Sequence, residues 1–391
     1  MELTAPIIAE IGGLLLAAAA AGYLARRVGL PAVIGYLVVG VAVSPFTPGF
    51  IVHREQLHVL ADIGVILLLF EVGIEIDVMR LRREQRGLFY AAPLQTLLTT
   101  AIGAAVALWA GLTLVGALLI GLCLALSSSV VIVNITKSSR RRTDRATEHG
   151  LLGWSVLQDL TGVLLAAFVI AAMGAPSRSP LLALAGIAAF VATAVATAWI
   201  LPRALGALHA EHDLFLIVAV ASGLAIAGVG GVLFGVPMAL AAFVAGLTIT
   251  ESHAADEARR RLLPFRDLFA VLFFVSIGSL IDPDELVRGL GWLALLLAVV
   301  LVGKILVAYV LARLTRLAAR PWQLAVGLGQ VGEFSFVLAS VGLAAGVIER
   351  PLYAAMLSAV AITIAVSTIG VRYVGPRPPT SAASSQSGAS P

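Results

Sequence analysis

From residue 7 to residue 374 the chain is a succession of apolar runs, each near the length of a bilayer crossing, parted by short breaks that hold nearly all of its charge. A helix crosses about 30 Å of hydrocarbon with about 20 apolar residues. Inside a bilayer every backbone polar group must find its partner within the chain, so long runs of this kind can only be helices. Thirteen spans are expected, at 7–25, 31–46, 57–76, 87–110, 114–136, 146–173, 181–208, 213–228, 233–250, 265–281, 290–314, 322–345 and 352–374. Composition agrees: 60% of the residues are apolar, 12% are charged and mean hydropathy is +1.02. A soluble domain has about 25% charged residues. The fold class is therefore an all-α polytopic membrane protein, and a water-soluble enzyme is excluded. The first run has no basic leader and no small-residue cleavage site, so it reads as a retained helix. The single cysteine, Cys123, excludes a disulfide framework or a multi-cysteine metal site.

The basic residues set the orientation. With the N-terminus outside, the 26 lysines and arginines fall on the inner side except Arg54, Arg178, Arg288 and Arg350 outside and Lys304 within a span. The positive balance is thus topological and requires no nucleic acid. Residues 375–391, with Pro376, Pro378, Pro379 and a Ser/Ala/Gly run, read as a disordered cytoplasmic tail after a transmembrane domain at 1–374.

Charges at mid-membrane are expensive and mark functional candidates. Asp159, Lys304 and Glu333 each lie near the middle of a span. A structural ion pair or hydrogen-bonded group is the alternative for each. Asp159 follows Gln158, and an amide beside a carboxylate offers oxygen ligands that suit a proton or a hard monovalent cation, without the three or four donors of a transition-metal site. Two spans carry helix-weakening residues at the same depth. One has Ser127, Ser128 and Ser129 in a row, with Asn134 and Thr136 following; the other has Gly327, Gly329 and Gly332 around Gln330 and Glu333. Small residues also serve close helix packing. The pairing of the two favours broken helices, because residues 87–173 and 290–374 each contain three spans with the interrupted one in the middle. One block starts from the inner side and the other from the outer, an inverted repeat of the alternating-access kind.

Other chemistry lacks carriers. His53, His58, His149, His209, His212 and His253 lie at loops and edges without an H-E-x-x-H pattern, and no G-x-S-x-G or phosphate-cradling loop occurs. Glu71, Glu75 and Asp77 read as interfacial charges for Arg80, Arg82 or Arg83, with a regulatory proton sensor as the sharper alternative. Glu10 and Asp62 stand without a motif.

These motifs resemble the membrane domain of the monovalent cation:proton antiporter-2 family, the Kef-type exchangers. The residues that carry the likeness are Pro31-Ala-Val-Ile-Gly-Tyr-Leu-Val-Val-Gly40, Leu69-Phe-Glu-Val-Gly-Ile-Glu-Ile-Asp77, Ala125-Leu-Ser-Ser-Ser129, Leu157-Gln-Asp159, Phe273-Phe-Val-Ser-Ile-Gly-Ser-Leu-Ile-Asp282, Gly303-Lys304 and Gly329-Gln-Val-Gly-Glu-Phe334. The resemblance implies a homodimer in the cytoplasmic membrane. An ion-carrying core within 87–173 and 290–374 would move against a dimer scaffold within 7–76 and 213–281. It implies that Asp159 binds cation and proton in turn, with Gln158 and Ser127–Ser129 beside it. Lys304, Glu333 and Gln330 would be core charge, structural or proton-coupling groups. No cofactor is implied beyond the transported H⁺ and K⁺ or Na⁺, and the Gln-Asp pair belongs to the branch associated with potassium. The family's usual nucleotide-binding domain does not occur in these 391 residues, so nucleotide or glutathione gating is not implied; a separate cytoplasmic regulatory subunit is a possible partner. Ser127-Ser128-Ser129 stands for the usual Ser-Ser-Thr, Glu71 for an uncharged residue, and Ser44-Pro45 for Gly-Pro. A gated cation channel or sensor on the same fold is the competing reading.

Overall fold

A computed structural model describes residues 5–44, 46, 54–75, 87–137, 143–172, 180–208, 211–234, 238–249, 255–332 and 334–374. Among the described residues the chain is helical, with no strand. Among these residues seven helices are long and apolar enough to cross a membrane, by length and composition. The helices are α1 (Ala5–Val28), α2 (Ala32–Ala42), α3 (Arg54–Glu75), α4 (Leu88–Trp109), α5 (Leu114–Ala125), α6 (Ser129–Lys137), α7 (Arg145–Ala172), α8 (Pro180–Ala207), α9 (His212–Phe234), α10 (Met238–Leu247) and α11 (Ala255–Ser279). A short α12 (Pro283–Arg288) precedes α13 (Leu290–Leu314), and α14 (Pro321–Leu328), α15 (Phe334–Ala344) and α16 (Arg350–Val374) follow.

Two expected spans are broken where the small and polar residues stand. The 114–136 run divides into α5 and α6 around Leu126–Ser128, and the 322–345 run into α14 and α15. Three other helices depart most from the expected bounds. Helix α9 runs through Gly228 to Phe234, because glycine does not end a helix where no water can receive the freed backbone groups. Gly230 there leaves room for Ala241 of α10, whose Cβ lies 2.6 Å from where a side chain would begin. Helix α10 is correspondingly short. Helix α11 starts ten residues before Phe265, since its arginines find acidic partners along the helix and on α3. The Asp282 of the family-like motif is a helix cap: its Oδ1 accepts from Asp284 N–H at 2.9 Å and Glu285 N–H at 3.4 Å.

The helices pack in two groups. Helices α1–α3 and α9–α11 pack on one another, and α4–α7 with α13–α16 form the second group. Glu71, fully buried on α3, receives Arg259 at 3.0 Å and Arg266 at 2.9 Å from α11. Its partners are thus on α11, a correction to the expected pairing with Arg80, Arg82 or Arg83; those three and Asp77 lie outside the described residues, as does the side chain of Glu75. Two arginines on one carboxylate offset the cost of burying it. In the second group Asp144 caps α7 through Thr147 N–H at 2.8 Å and pairs with Arg320, before α14, at 2.8 Å. Partial burial pushes the Asp144 carboxyl up, but the Thr147 hydrogen bonds and the Arg320 guanidinium outweigh it and hold it below the usual carboxylate value.

Candidate ion site

The site grows from two unwound segments that cross. Each broken helix leaves terminal carbonyls and N–H groups without helical partners, and at membrane depth each such group costs several kcal/mol if unmet. The chain meets them one by one. Gly332 N–H donates to Leu126 O at 3.0 Å, joining the two breaks directly. A Cβ on Gly332 would lie 2.7 Å from the Ser127 carbonyl carbon, so only glycine permits this approach. Ser127 Oγ donates to Leu328 O at 2.8 Å, and Gln330 brackets Ser128: Oε1 accepts from Ser128 N–H at 2.9 Å while Nε2 donates to Ser128 O at 3.2 Å. Ser128 Oγ accepts from Val131 N–H at 3.2 Å and opens α6.

Helices α7, α13 and α16 close the site. Gln158 on α7 accepts from Ser127 N–H at 2.8 Å and donates to Ala125 O at 2.9 Å, spanning the first break with one amide. Ser367 on α16 donates to Val326 O at 2.8 Å and to Gly327 O at 3.1 Å, and Thr363 Oγ1 accepts from Val331 N–H at 3.1 Å. Ser335 Oγ donates to Cys123 O at 2.6 Å and ties α15 to α5.

Lys304 is fully buried and occupies the junction of both breaks. Its ammonium donates to Leu126 O at 2.9 Å and to Gln330 O at 2.7 Å. A π-turn, Val299–Lys304, lies in α13 up to this residue. Such turns widen a helix by one residue and occur often at functional sites. Asp159, 1% exposed, follows Gln158 on α7 and interacts electrostatically with Lys304.

The crossing therefore gathers Asp159, Gln158, Ser127, Ser128, Lys304 and Gln330. Ser129 lies at the first turn of α6 and is half-buried. Glu333 lies outside the described residues. Sequence reasoning missed Gln95, Trp154, Thr363 and Ser367, of which the last two carry a weak signal as polar residues one turn apart in an apolar span. Among the described residues no group of three or more His, Cys, Asp and Glu side chains could hold a metal ion.

Two broken helices crossing beside a buried carboxylate and lysine is a transporter arrangement, and the family description "Sodium/hydrogen exchanger, transmembrane" matches residues 14–374. The chain belongs to that family. It is 32% identical over 366 residues to the Escherichia coli (strain K12) protein named "Putative cation/proton antiporter YbaL", a stretch that covers 90% of this chain and 65% of that protein. Its fold is that of the sodium proton antiporter MjNhaP1 from Methanocaldococcus jannaschii, with a TM-score of 0.74 at 17% identity, covering 96% of this chain and 99% of the other.

Between its two helix groups the chain holds a cavity of about 420 Å³, lined from α3, α10, α11 and α15. Its walls are mainly apolar, with Asp62, Ser276 and Ser340 as the polar members. Phe336 forms part of the lining and packs edge-on against Phe273 at 6.4 Å and Phe274 at 6.1 Å. Asp62, which had no motif, thus faces the seam between the groups.

Proposed function

We propose that this chain is a secondary antiporter that exchanges a monovalent cation, K⁺ in preference to Na⁺, for H⁺ across the cytoplasmic membrane. The observation that carries the reading is the buried Asp159 at a crossing where Ser127, Gln158, Lys304, Gln330, Thr363 and Ser367 engage backbone groups of both breaks. A site so braced leaves Asp159 as the group that changes state. Cation and proton compete for its carboxylate. The hydroxyl oxygens of Ser127 and Ser128 keep lone pairs for a dehydrated cation. Lys304 keeps its proton and acts as a fixed charge that holds the two breaks together. The second helix group, 87–173 with 290–374, carries the ion and moves against the first along the seam where the cavity lies. The basic loops face the cytoplasm, supported by the neighbouring of Arg372 with Gly29 O at 2.8 Å and of Arg320 with Asp144 at 2.8 Å, all assigned to one side. The protein works as a homodimer. The preference for K⁺ rests on the Gln158-Asp159 pair.

The test is purified protein in proteoliposomes with a trapped pH indicator. Added K⁺ is expected to release protons across the membrane at a lower half-saturating concentration than Na⁺. A cation conductance without proton movement would instead establish a channel on the same fold.

A further inference from the structure

Gln95 of α4 is fully buried and belongs to none of the motifs discussed so far. Its Oε1 accepts from the Trp154 indole N–H at 3.2 Å and from the Gln158 side-chain amide, and its own Nε2 donates to Thr99 Oγ1 at 2.9 Å. Trp154 and Gln158 are one turn apart on α7 and present the same face to α4. Asp159 is the next residue.

The direction of every bond in this chain is forced. An indole N–H only donates, so it fixes the oxygen end of Gln95 toward α7. At the far end Ala125 O only accepts and Ser127 N–H only donates, so they fix both ends of Gln158. The two amides have one joint orientation, set by groups that have no choice. Gln95 accepts the remaining hydrogen of the Gln158 amide and so holds that side chain toward α4, and Gln158, bound on both sides of the break, sets how far Ala125 and Ser127 stand from α7. A carboxylate at position 158 would lose both donations and place its charge against two acceptor oxygens, Ala125 O and Gln95 Oε1. The amide at 158, and with it the single-carboxylate character of the site, is required by Gln95 and by the break in the α5–α6 helix.

We propose that Gln95 is a positioning residue of the ion site: through Gln158 it sets the distance between Asp159 and the unwound Leu126–Ser128 segment. This rests on the reading of Asp159 as the ion carrier. Gln95→Met keeps the volume and removes the acceptor, leaving one Gln158 N–H and the Trp154 N–H unmet. An orphaned buried donor is worth about a factor of ten or more.

The experiment measures exchange in proteoliposomes for the wild type, Gln95→Met, the double variant Gln95→Met/Trp154→Phe and Asp159→Asn, with thermal stability in parallel. Gln95→Met is expected to raise the half-saturating cation concentration about tenfold and to shift the pH of half-maximal exchange, with a smaller change in maximal rate. The double variant, which no longer buries an unmet indole N–H, is expected to regain stability while its half-saturating concentration stays raised. If affinity recovers together with stability, Gln95 is merely structural and the inference is wrong. It is equally wrong if folded Gln95→Met, or the double variant where the single one does not fold, binds cation within about twofold of wild type. Asp159→Asn separates the two levels: full exchange in that variant overturns the ion-site reading itself, whereas its inactivity beside normal cation affinity without Gln95 overturns only the role of Gln95.

Discussion

Asp159 is 1% exposed at mid-helix, where a carboxylate is costly to keep unless it has work to do. Its neighbours are already occupied, which supports the proposal that Asp159 carries the ion. Gln158 spends its amide on Ala125 O, Ser127 N–H and Gln95. Ser127 spends its proton on Leu328 O. Asp159→Asn keeps shape and removes the titrating group, so it is expected to abolish exchange without loss of folded protein; residual exchange above about a tenth of the wild-type rate would contradict the assignment. At this scale charge was the legible signal. Asp159 and Lys304 stand out in apolar runs because ions there are rare. Gln95 does not: an uncharged amide among Thr96, Thr99 and Thr100 costs little enough to be common, and its partners lie 59 and 63 residues away. The partners of Glu71 were hidden for the same reason, being 188 and 195 residues distant.

The broken helices were readable as elements because serine runs and glycine clusters weaken a helix wherever they fall. Ser127–Ser129 and Gly327, Gly329 and Gly332 mark both breaks, and Gly332 is required by the contact with Ser127. How the breaks are held was not readable. It depends on a π-turn in α13 ending at Lys304, and a run as uniformly apolar as Val299–Gly303 gives no sign of one. Lys304 joins the breaks through carbonyls of both, Leu126 O and Gln330 O. A charge-assisted bond contributes about 1.5–3 kcal/mol. Lys304→Gln retains donors but shortens the reach and loses the charge, so it is expected to lower stability by about 3 kcal/mol. Thermal unfolding in lipid nanodiscs checks this, and an unchanged midpoint would remove Lys304 from its bracing role.

Taken whole, the molecule is two helix groups with a seam between them, and the cavity with Asp62 on its wall opens along that seam. Hydrophobic run lengths and the distribution of arginine made the membrane class and the repeat legible. The ends of α9, α10 and α11 were not, because in a bilayer glycine and arginine stop a helix only where packing or an ion pair fails to hold them. With Asp159 as the one titrating carboxylate and Lys304 keeping its proton, as proposed, each cycle would replace one positive charge by another. A membrane potential, worth about 2.3 kcal/mol per charge per 100 mV, should then exert no drive. The direct measurement is cation and proton flux in proteoliposomes, with a potential imposed by a gradient of a permeant anion such as thiocyanate. A cation gradient is expected to drive an equal and opposite proton flux, and the potential alone, with no pH gradient, to move neither ion. Uphill cation movement driven by the potential would contradict one-for-one exchange at Asp159.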